Sequence, residues 1–535
     1  PYTDADGDVY YAPQENGVTG VAPNAQVLVM KVFSGGWGAY ESDYMAAIED
    51  AILLDCDAVN LSLGSNMPGE VYNNTSVYAE LLDYLAKTDT VVTVSSGNSN
   101  QWAVRAGTGG YLYNDDVSFA TGGSPGTYAN TLTVASVDST GAIGPHLLVD
   151  DKVLVYYEST DFGNLAMSNL DKTQDGSGTE YPFVYVDGFG VATDFDGIDL
   201  NGKVVFCSRG GGLNFADKAN NAVAKGAAAV VVYNNAAGIF GMNLTGYIYT
   251  APCVSMTRSQ ADAVKAVASE AKTDAGKTYY TGSLKVCARN AVGLYGDSYN
   301  MSDFSSWGVP GDLSLKPEIT GIGGSIISAY RNNAIAISSG TSMASPAVCG
   351  IGLLVRQYLK EHYDFTGREL AEVTDAILMS SADILTDASS DRPFSPRAQG
   401  AGLVNAGSAI EANAYLDADG NAKPKFELGD DPERTGVYHM GFDVVNLSDE
   451  EQEYTLDVCT LTESATGGRV NPDHTHEYLM EQFAYQLNPQ VDAPKTVTVG
   501  ANAKTHVDIT ISLSNADVQY LSLIHISEPT RLALI

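Results

Sequence analysis

Apolar positions recur along this chain in two rhythms, one of short unbroken runs and one of helical spacing. Gln26–Phe33 (QVLVMKVF) is a Val-rich run bounded by Pro23-Asn24 and Ser34-Gly35-Gly36, which predicts a buried parallel strand. From Tyr40 to Leu54, Tyr44, Ala47, Ile48 and Ile52 fall near helical spacing. A strand is expected over Ala58–Leu63, a helix over Val71–Lys87, and further strands over Val91–Val94 and Asn130–Val137. Strand alternating with helix is the mark of a doubly wound α/β sheet. Ligands of such sheets bind at the carboxyl ends of the strands, which directs attention to Ser62-Leu63-Gly64 and Ser95-Ser96-Gly97-Asn98.

Between about 140 and 290 the pattern becomes β-rich. One strand–loop–helix–strand unit stands out: Lys203–Cys207, Arg209-Gly210-Gly211-Gly212, Phe215–Gly226 and Ala227–Tyr233. Its glycines fail the dinucleotide fingerprint, because Phe215 stands where GxGxxG needs its last glycine. The segment reads as a small inserted β-rich domain with one covering helix. The α/β character returns with strands over Lys316–Ile322, Ser325–Ser328 and Ile335–Ser338, then helices over Thr341–Glu361 and Gly367–Ser380. Beyond about 420, Val437–Asn446, Glu453–Thr460, Lys495–Val499 and His506–Ser512 alternate with polar turns, as in a separate β-sandwich.

Composition narrows the class. The formal net charge of the 535 residues is −36, so the surface repels polyanions, and neither nucleic acid nor an anionic membrane face is an expected partner. A hydrophobic content of 44% allows a sizeable core, so the charge does not indicate disorder. No apolar run reaches the length of a transmembrane helix. Cys56, Cys207, Cys253, Cys287, Cys349 and Cys459 form no CxxC pair, which excludes zinc-ribbon and thioredoxin-type readings and leaves any pairing among Cys207, Cys253 and Cys287 open. Asp4-Ala5-Asp6-Gly7-Asp8 fails the full EF-hand pattern and reads as a solvated turn, so no metal or other cofactor is required, and a structural calcium ion has no sequence support. The chain starts at Pro1 without a signal-peptide pattern, as a cut or incomplete gene would. Leu521–Ile535 (LSLIHISEPTRLALI) departs from the preceding composition and resembles translated sequencing-adapter DNA.

The sharpest chemistry lies in Gly340-Thr341-Ser342-Met343-Ala344-Ser345-Pro346, where an apolar strand runs through small residues into a helix. Ser342 is expected at the helix N-terminus, where free backbone N–H groups and the positive dipole end favour developing negative charge. Pro346 is expected to be tolerated as an early helical position without an internal acceptor.

GTSMASPAV resembles the nucleophile motif of the subtilisin-like serine peptidases, and other segments agree in that family's chain order. Gly20–Ala25 resembles the segment after the catalytic-histidine helix, Asn60-Leu61-Ser62-Leu63-Gly64 the substrate-lining strand, and Val94-Ser95-Ser96-Gly97-Asn98 the oxyanion-asparagine turn. Phe304–Gly308 and Lys316-Pro317-Glu318-Ile319 resemble the approach to the nucleophile, although Gly321-Ile322-Gly323 stands where the family usually has Ala-Pro-Gly. The resemblance implies Ser342 as nucleophile, Asn98 with the Ser342 N–H as oxyanion hole, and Ser62, Leu63, Gly64, Ser96 and Gly97 as substrate-binding residues. Protein or peptide substrates follow, with an extended peptide paired as an added strand.

The family's Asp and His precede its oxyanion asparagine, yet no histidine here precedes His146. Asp138-Ser139-Thr140-Gly141 resembles the acid's motif but follows Asn98. The Asp and His are therefore expected upstream of Pro1, and the 535 residues alone should be nearly inactive. Gly202–Phe206, Phe215, Lys218, Asn221-Ala222 and Lys225–Ala228 resemble the protease-associated (PA) domain of cell-envelope and C5a-peptidase-like subtilases, and 420–520 is similar to their fibronectin-III-like sandwich. The implied organisation is a catalytic domain over 1–140 and 291–418, a PA insertion over 141–290, a sandwich over 419–520 and a non-native tail over 521–535. An extracellular or wall-associated bacterial location goes with it. Two other readings are a non-catalytic surface binder on a degenerate subtilase scaffold and an α/β-hydrolase esterase. The esterase lacks its second elbow glycine, since Ala344 stands there.

Overall fold

The computed structural model describes residues 2–3, 9–10, 18–33, 38–64, 77–85, 87–99, 121–160, 162–235, 240–294, 298–308, 310, 314–330, 334–387, 391–418, 423–428, 431, 433, 435–466 and 481–514. They divide into two compact units, one formed by the chain before 139 with most of the chain after 300, the other by 139–300.

The first unit is built on four parallel strands. Helix α1 (Glu41–Leu53) leads to β1 (Ala58–Leu61), and helix α2 (Val77–Leu85) leads to β2 (Val91–Ser95), followed by β3 (Leu132–Asp138). After the inserted unit, β4 (Ile319–Gly324) completes the spatial order β4-β3-β2-β1. Alternation along β2 sorts its two faces. Val92 and Val94 pack with Ile48 of α1 and with Leu82 and Leu85 of α2. On the opposite face, Leu132, Val134 and Ile319 pack against α3 (Thr341–His362) and α4 (Gly367–Ser380) through Ala344, Val348, Val355, Leu359 and Ile377. A sheet covered on both faces needs apolar side chains at nearly every position, and all five β2 residues are buried. The doubly wound α/β expectation is met here.

Several expectations are corrected. Gln26–Phe33 is not a strand: Val27 and Val29 are each 80% exposed, and among the described residues the sheet ends at β1. A Val-rich run becomes a strand only when a neighbour accepts its hydrogen bonds, and its own composition supplies none. The strand expected before the nucleophile motif is present but lies outside the parallel sheet. β5 (Ile326–Tyr330) and β6 (Ala334–Ser338) pair antiparallel as a separate hairpin, with Ile337 exposed. Residues 71–76 of the expected second helix and the Asp4–Asp8 turn lie outside the described residues, as does 515–535.

The inserted unit is a mixed sheet with parallel strands Thr179–Tyr185, Val204–Ser208, Ala229–Tyr233 and Cys253–Met256 at its centre. Among its described residues are two α-helices rather than the expected one, Phe215–Val223 and Arg258–Ala266. The second is polar on most of its surface, with Ala261 and Val264 buried, and its start carries a capping box: the Thr257 hydroxyl accepts the Gln260 N–H, and Gln260 Oε1 accepts the Thr257 N–H. Lys218 is wholly buried, and its ammonium donates to the carbonyls of Phe189, Ser208 and Gly210. All six cysteines are unpaired.

Past the helices, Ala414–Asp417, Val437–Asn446, Lys504–Ser512 and Gln490–Asp492 form one antiparallel sheet, and Gln452–Thr455 pairs with Thr496–Val499. Tyr438, Met440, Phe442 and Val444 alternate inward onto Val507, Ile509 and Ile511. Ala414–Asp417, before the expected boundary at 419, thus already belongs to this sheet. The segment after residue 422 is gripped by a buried ionic cluster. Glu318 Oε1 lies 2.8 Å from the Lys316 ammonium and 2.7 Å from that of Lys425, and Lys423 lies 3.6 Å from Asp375. The Leu315 N–H and carbonyl bind Glu427 and Lys425 in turn.

Candidate active site

Ser342 is the second residue of α3, half-buried, with Gly340 as the N-cap. No acidic side chain occupies the first turn, so the dipole's positive end there is not already neutralised by a carboxylate of the helix itself. The chain reaches this point from the β5–β6 hairpin, which is not the strand–elbow–helix passage from a central sheet strand that an α/β-hydrolase uses. The Gly340 N–H donates to the Gly323 carbonyl at 3.0 Å. A Cβ at Gly323 would lie 2.5 Å from the Gly340 carbonyl oxygen, and one at Gly321 would lie 2.9 Å from Val348. Gly321-Ile322-Gly323 thus lets β4 approach the start of α3 closely, the packing role expected for this departure from the family pattern.

Asn98 follows β2 and meets that helix end directly. Its Oδ1 accepts from the Thr341 N–H and from the Thr341 hydroxyl, each at 2.9 Å. The carbonyl side of the amide is therefore spent on capping α3, which leaves Nδ2 as the donor end of the side chain. The turn that carries Asn98 is pinned from both sides. Gly97 donates its N–H to Thr341 Oγ1 and accepts from the Ser306 N–H, while Ser306 Oγ accepts the Ser99 N–H at 2.9 Å. Gly97 sits at φ +111°, and a Cβ there would come within 2.9 Å of Ser306 Oγ. Ser96 is buried, with its N–H on the Val134 carbonyl and its own carbonyl accepting from Gly123. Ser306 and Thr341 lie inside motifs legible in the sequence, but only the structure gives them this anchoring task.

Ser62, Leu63 and Gly64 follow β1 directly past its last paired residue. The Leu63 carbonyl accepts from Ser95 Oγ at 3.4 Å, and a side chain on Gly64 would reach the Ser124 carbonyl at 3.2 Å. The Ser62 hydroxyl donates to the main-chain carbonyl of Ser342 at 2.7 Å. Ser62, Asn98 and Ser342 are thereby joined through the first turn of α3.

The Pro346 expectation is corrected here. With α3 starting at Thr341, Pro346 is its sixth residue, beyond the turn whose N–H groups lack acceptors. The N–H it lacks is the one the Ser342 carbonyl would have received, and Ser62 supplies a donor instead.

No described histidine is placed as a base. His362 ends the same helix, about 30 Å along its axis from Ser342. His439 and His506 bind Thr510 and Asp443 between paired strands of the terminal sheet, and His146 belongs to the inserted unit. Asp138 ends β3 and accepts from the Ser302 hydroxyl; burial raises its carboxyl above the usual range. Among the described residues, no cluster of His, Cys, Asp or Glu could hold a metal ion, and no helix is long and apolar enough to cross a membrane.

Residues 7–402 match the Subtilase family. The chain is 28% identical over 503 residues to the C5a peptidase of Streptococcus pyogenes, covering 92% of this chain and 39% of that protein. It is also 28% identical over 524 residues to the PII-type proteinase of Lacticaseibacillus paracasei, covering 93% of this chain and 26% of that one. It thus spans about two fifths or less of the curated relatives it matches. Among solved structures, the psychrophilic subtilisin-like protease Apa1 from the Antarctic Pseudoalteromonas sp. AS-11 aligns at 17% identity, covering 71% of this chain and 76% of that one, with a TM-score of 0.39.

Proposed function

The chain belongs to the subtilase family, and on that premise we propose that it is the central part of a serine endopeptidase of the cell-envelope type. Ser342 Oγ attacks the scissile carbonyl and forms the acyl-enzyme. A histidine base takes its proton and delivers it to the leaving amine, and water then reverses the sequence to release the acid. Asn98 Nδ2 and the Ser342 N–H hold the oxyanion, at a helix end where both donors are in place before charge develops. Ser62–Gly64 and the Ser96–Gly97 main chain line the bound peptide, which adds to the sheet edge as an extended strand. The histidine and its aspartate come from sequence preceding Pro1, a proposal motivated by the absence of a described histidine near Ser342.

The observation that carries this reading is the double anchorage of Asn98 Oδ1 on Thr341, one residue before Ser342. The inserted unit is proposed as a PA-type domain that filters substrates, and the terminal strands as a fibronectin-III-like sandwich. An extracellular, wall-associated setting fits the C5a peptidase and PII-type proteinase among the relatives. The test is labelling of the full-length protein by a fluorophosphonate, together with casein hydrolysis. Both should vanish in Ser342→Ala, and their survival in that variant would refute the assignment.

A further inference from the structure

Pro346 leaves the Ser342 carbonyl without its normal helical donor, and what replaces that donor belongs to a longer chain of side chains. Ser62 Oγ lies 2.7 Å from the Ser342 carbonyl and 3.0 Å from Asn60 Nδ2. A carbonyl only accepts, so the single hydroxyl hydrogen of Ser62 is committed to Ser342. Asn60 must then present its NH2 to Ser62, and its Oδ1 faces the other way. There it accepts from Ser345 Oγ at 2.7 Å and Thr93 Oγ1 at 3.2 Å. The Ser62 hydrogen has one place to go, and the orientation of the Asn60 amide follows from the donors and acceptors around it.

We infer that Asn60 is a positioning residue, which acts through Ser62 to set the nucleophile's main chain against the substrate-lining segment. This rests on the reading of Ser342 as nucleophile. Asn60 stands on β1, Thr93 beside it on β2, and Ser342 and Ser345 one turn apart on α3. The side-chain chain therefore grips the helix at two points, and the strand it starts from runs directly into Ser62–Gly64. The register between bound peptide and attacking oxygen is set across this bridge. Displacements well under an ångström matter to nucleophilic attack, and a misplacement of about 1 Å can cost on the order of 100-fold in rate.

The near-isosteric Asn60→Asp retains an acceptor for Ser345 and Thr93 but turns a second acceptor toward Ser62, which has no hydrogen to give. In the full-length protein, kcat for a chromogenic peptide amide should fall about 10- to 100-fold in Asn60→Asp, with KM changed far less. The ratio of variant to wild-type rate should rise as the pH is lowered, because a protonated carboxyl regains a donor for Ser62. Ser62→Ala should lose a similar factor, and the double variant should be no worse than Ser62→Ala alone. Thermal unfolding of Asn60→Asp close to wild type would show that the fold is kept. If Ser342→Ala is inactive while Asn60→Asp keeps wild-type kcat, or if the two losses multiply, the positioning role is wrong. If Ser342→Ala itself retains hydrolysis, the nucleophile reading falls and takes the positioning role with it.

Discussion

Thr341 donates twice to one oxygen of Asn98, through its amide N–H and through its hydroxyl, each at 2.9 Å. The residue that accepts at the start of the nucleophile helix is thus also the one whose amide NH2 is proposed to hold the oxyanion. Asn98→Asp separates the two tasks, since it keeps the capping acceptor and removes the donor. Peptide hydrolysis by the full-length protein should fall about 100- to 1,000-fold, the scale known for the oxyanion asparagine of subtilisin itself, while the melting temperature stays close to wild type. Asn98→Ala should lose the same rate and about 1 kcal/mol of stability from the lost cap. Undiminished kcat in Asn98→Asp would exclude the oxyanion role.

Gly97→Ala tests the pinned turn. The backbone there is at φ +111°, and the new methyl carbon would meet Ser306 Oγ at 2.9 Å. A loss of about 1–3 kcal/mol in chemical denaturation is expected, with a fall in kcat as Asn98 shifts. Wild-type stability in this variant would mean that the turn tolerates a side chain.

The buried cluster around Glu318 makes a strong prediction for Lys425. Burial alone would raise the Glu318 carboxyl, but the charges of Lys316 and Lys425 hold it at about 2. Lys425→Met removes one of those charges together with the donor to the Leu315 carbonyl. Leaving a buried carboxylate short of a partner should cost on the order of 3 kcal/mol, read as a lower denaturation midpoint. An unchanged midpoint would show that Lys316 alone satisfies Glu318.

Asp375 governs a pH dependence of opposite sign. Burial pushes its carboxyl from 3.8 up to about 6, partly offset by Lys423. Between those values the folded chain holds a proton that the unfolded chain has released, so stability falls as the pH rises through that window. Glu318 works the other way: its depressed value contributes stability above about 4.5 that is lost only as the pH drops toward 2. The melting temperature of Asp375→Asn, relative to wild type, should therefore climb between pH 4 and pH 7. A flat difference across that range would remove Asp375 as the cause.

On the proposal that the histidine base lies before Pro1, the 535-residue chain on its own should hydrolyse casein barely at all, since an oxyanion hole acting without a base keeps only about 10³–10⁴-fold over water. Robust hydrolysis by this chain, abolished by Ser342→Ala, would place the base among its own histidines.

The α/β alternation, the span Gly367–Ser380 of α4 and the start of α3 at Thr341 were all legible in the sequence. Helical spacing and a string of small residues are local properties, and they report which face of an element is apolar. They do not report whether a neighbour exists. For that reason Gln26–Phe33 reads as a strand yet has none beside it among the described residues, and Ala334–Ser338, a strand as expected, pairs there only with Ile326–Tyr330, outside the parallel sheet. The Arg258–Ala266 helix left a capping box in the sequence, and Ala261 and Val264 mark its short buried face. What only the tertiary structure decided is where the hydrogens go. Ser62 reaches Ser342 across 280 positions, Thr341 reaches Asn98 across 243, and Lys425 reaches Glu318 across 107. Motif order placed Ser342 and Asn98 in the same family pattern; the orientation of the Asn98 amide and the rescue of the carbonyl that Pro346 strands depend on partners that proximity in sequence never brings together.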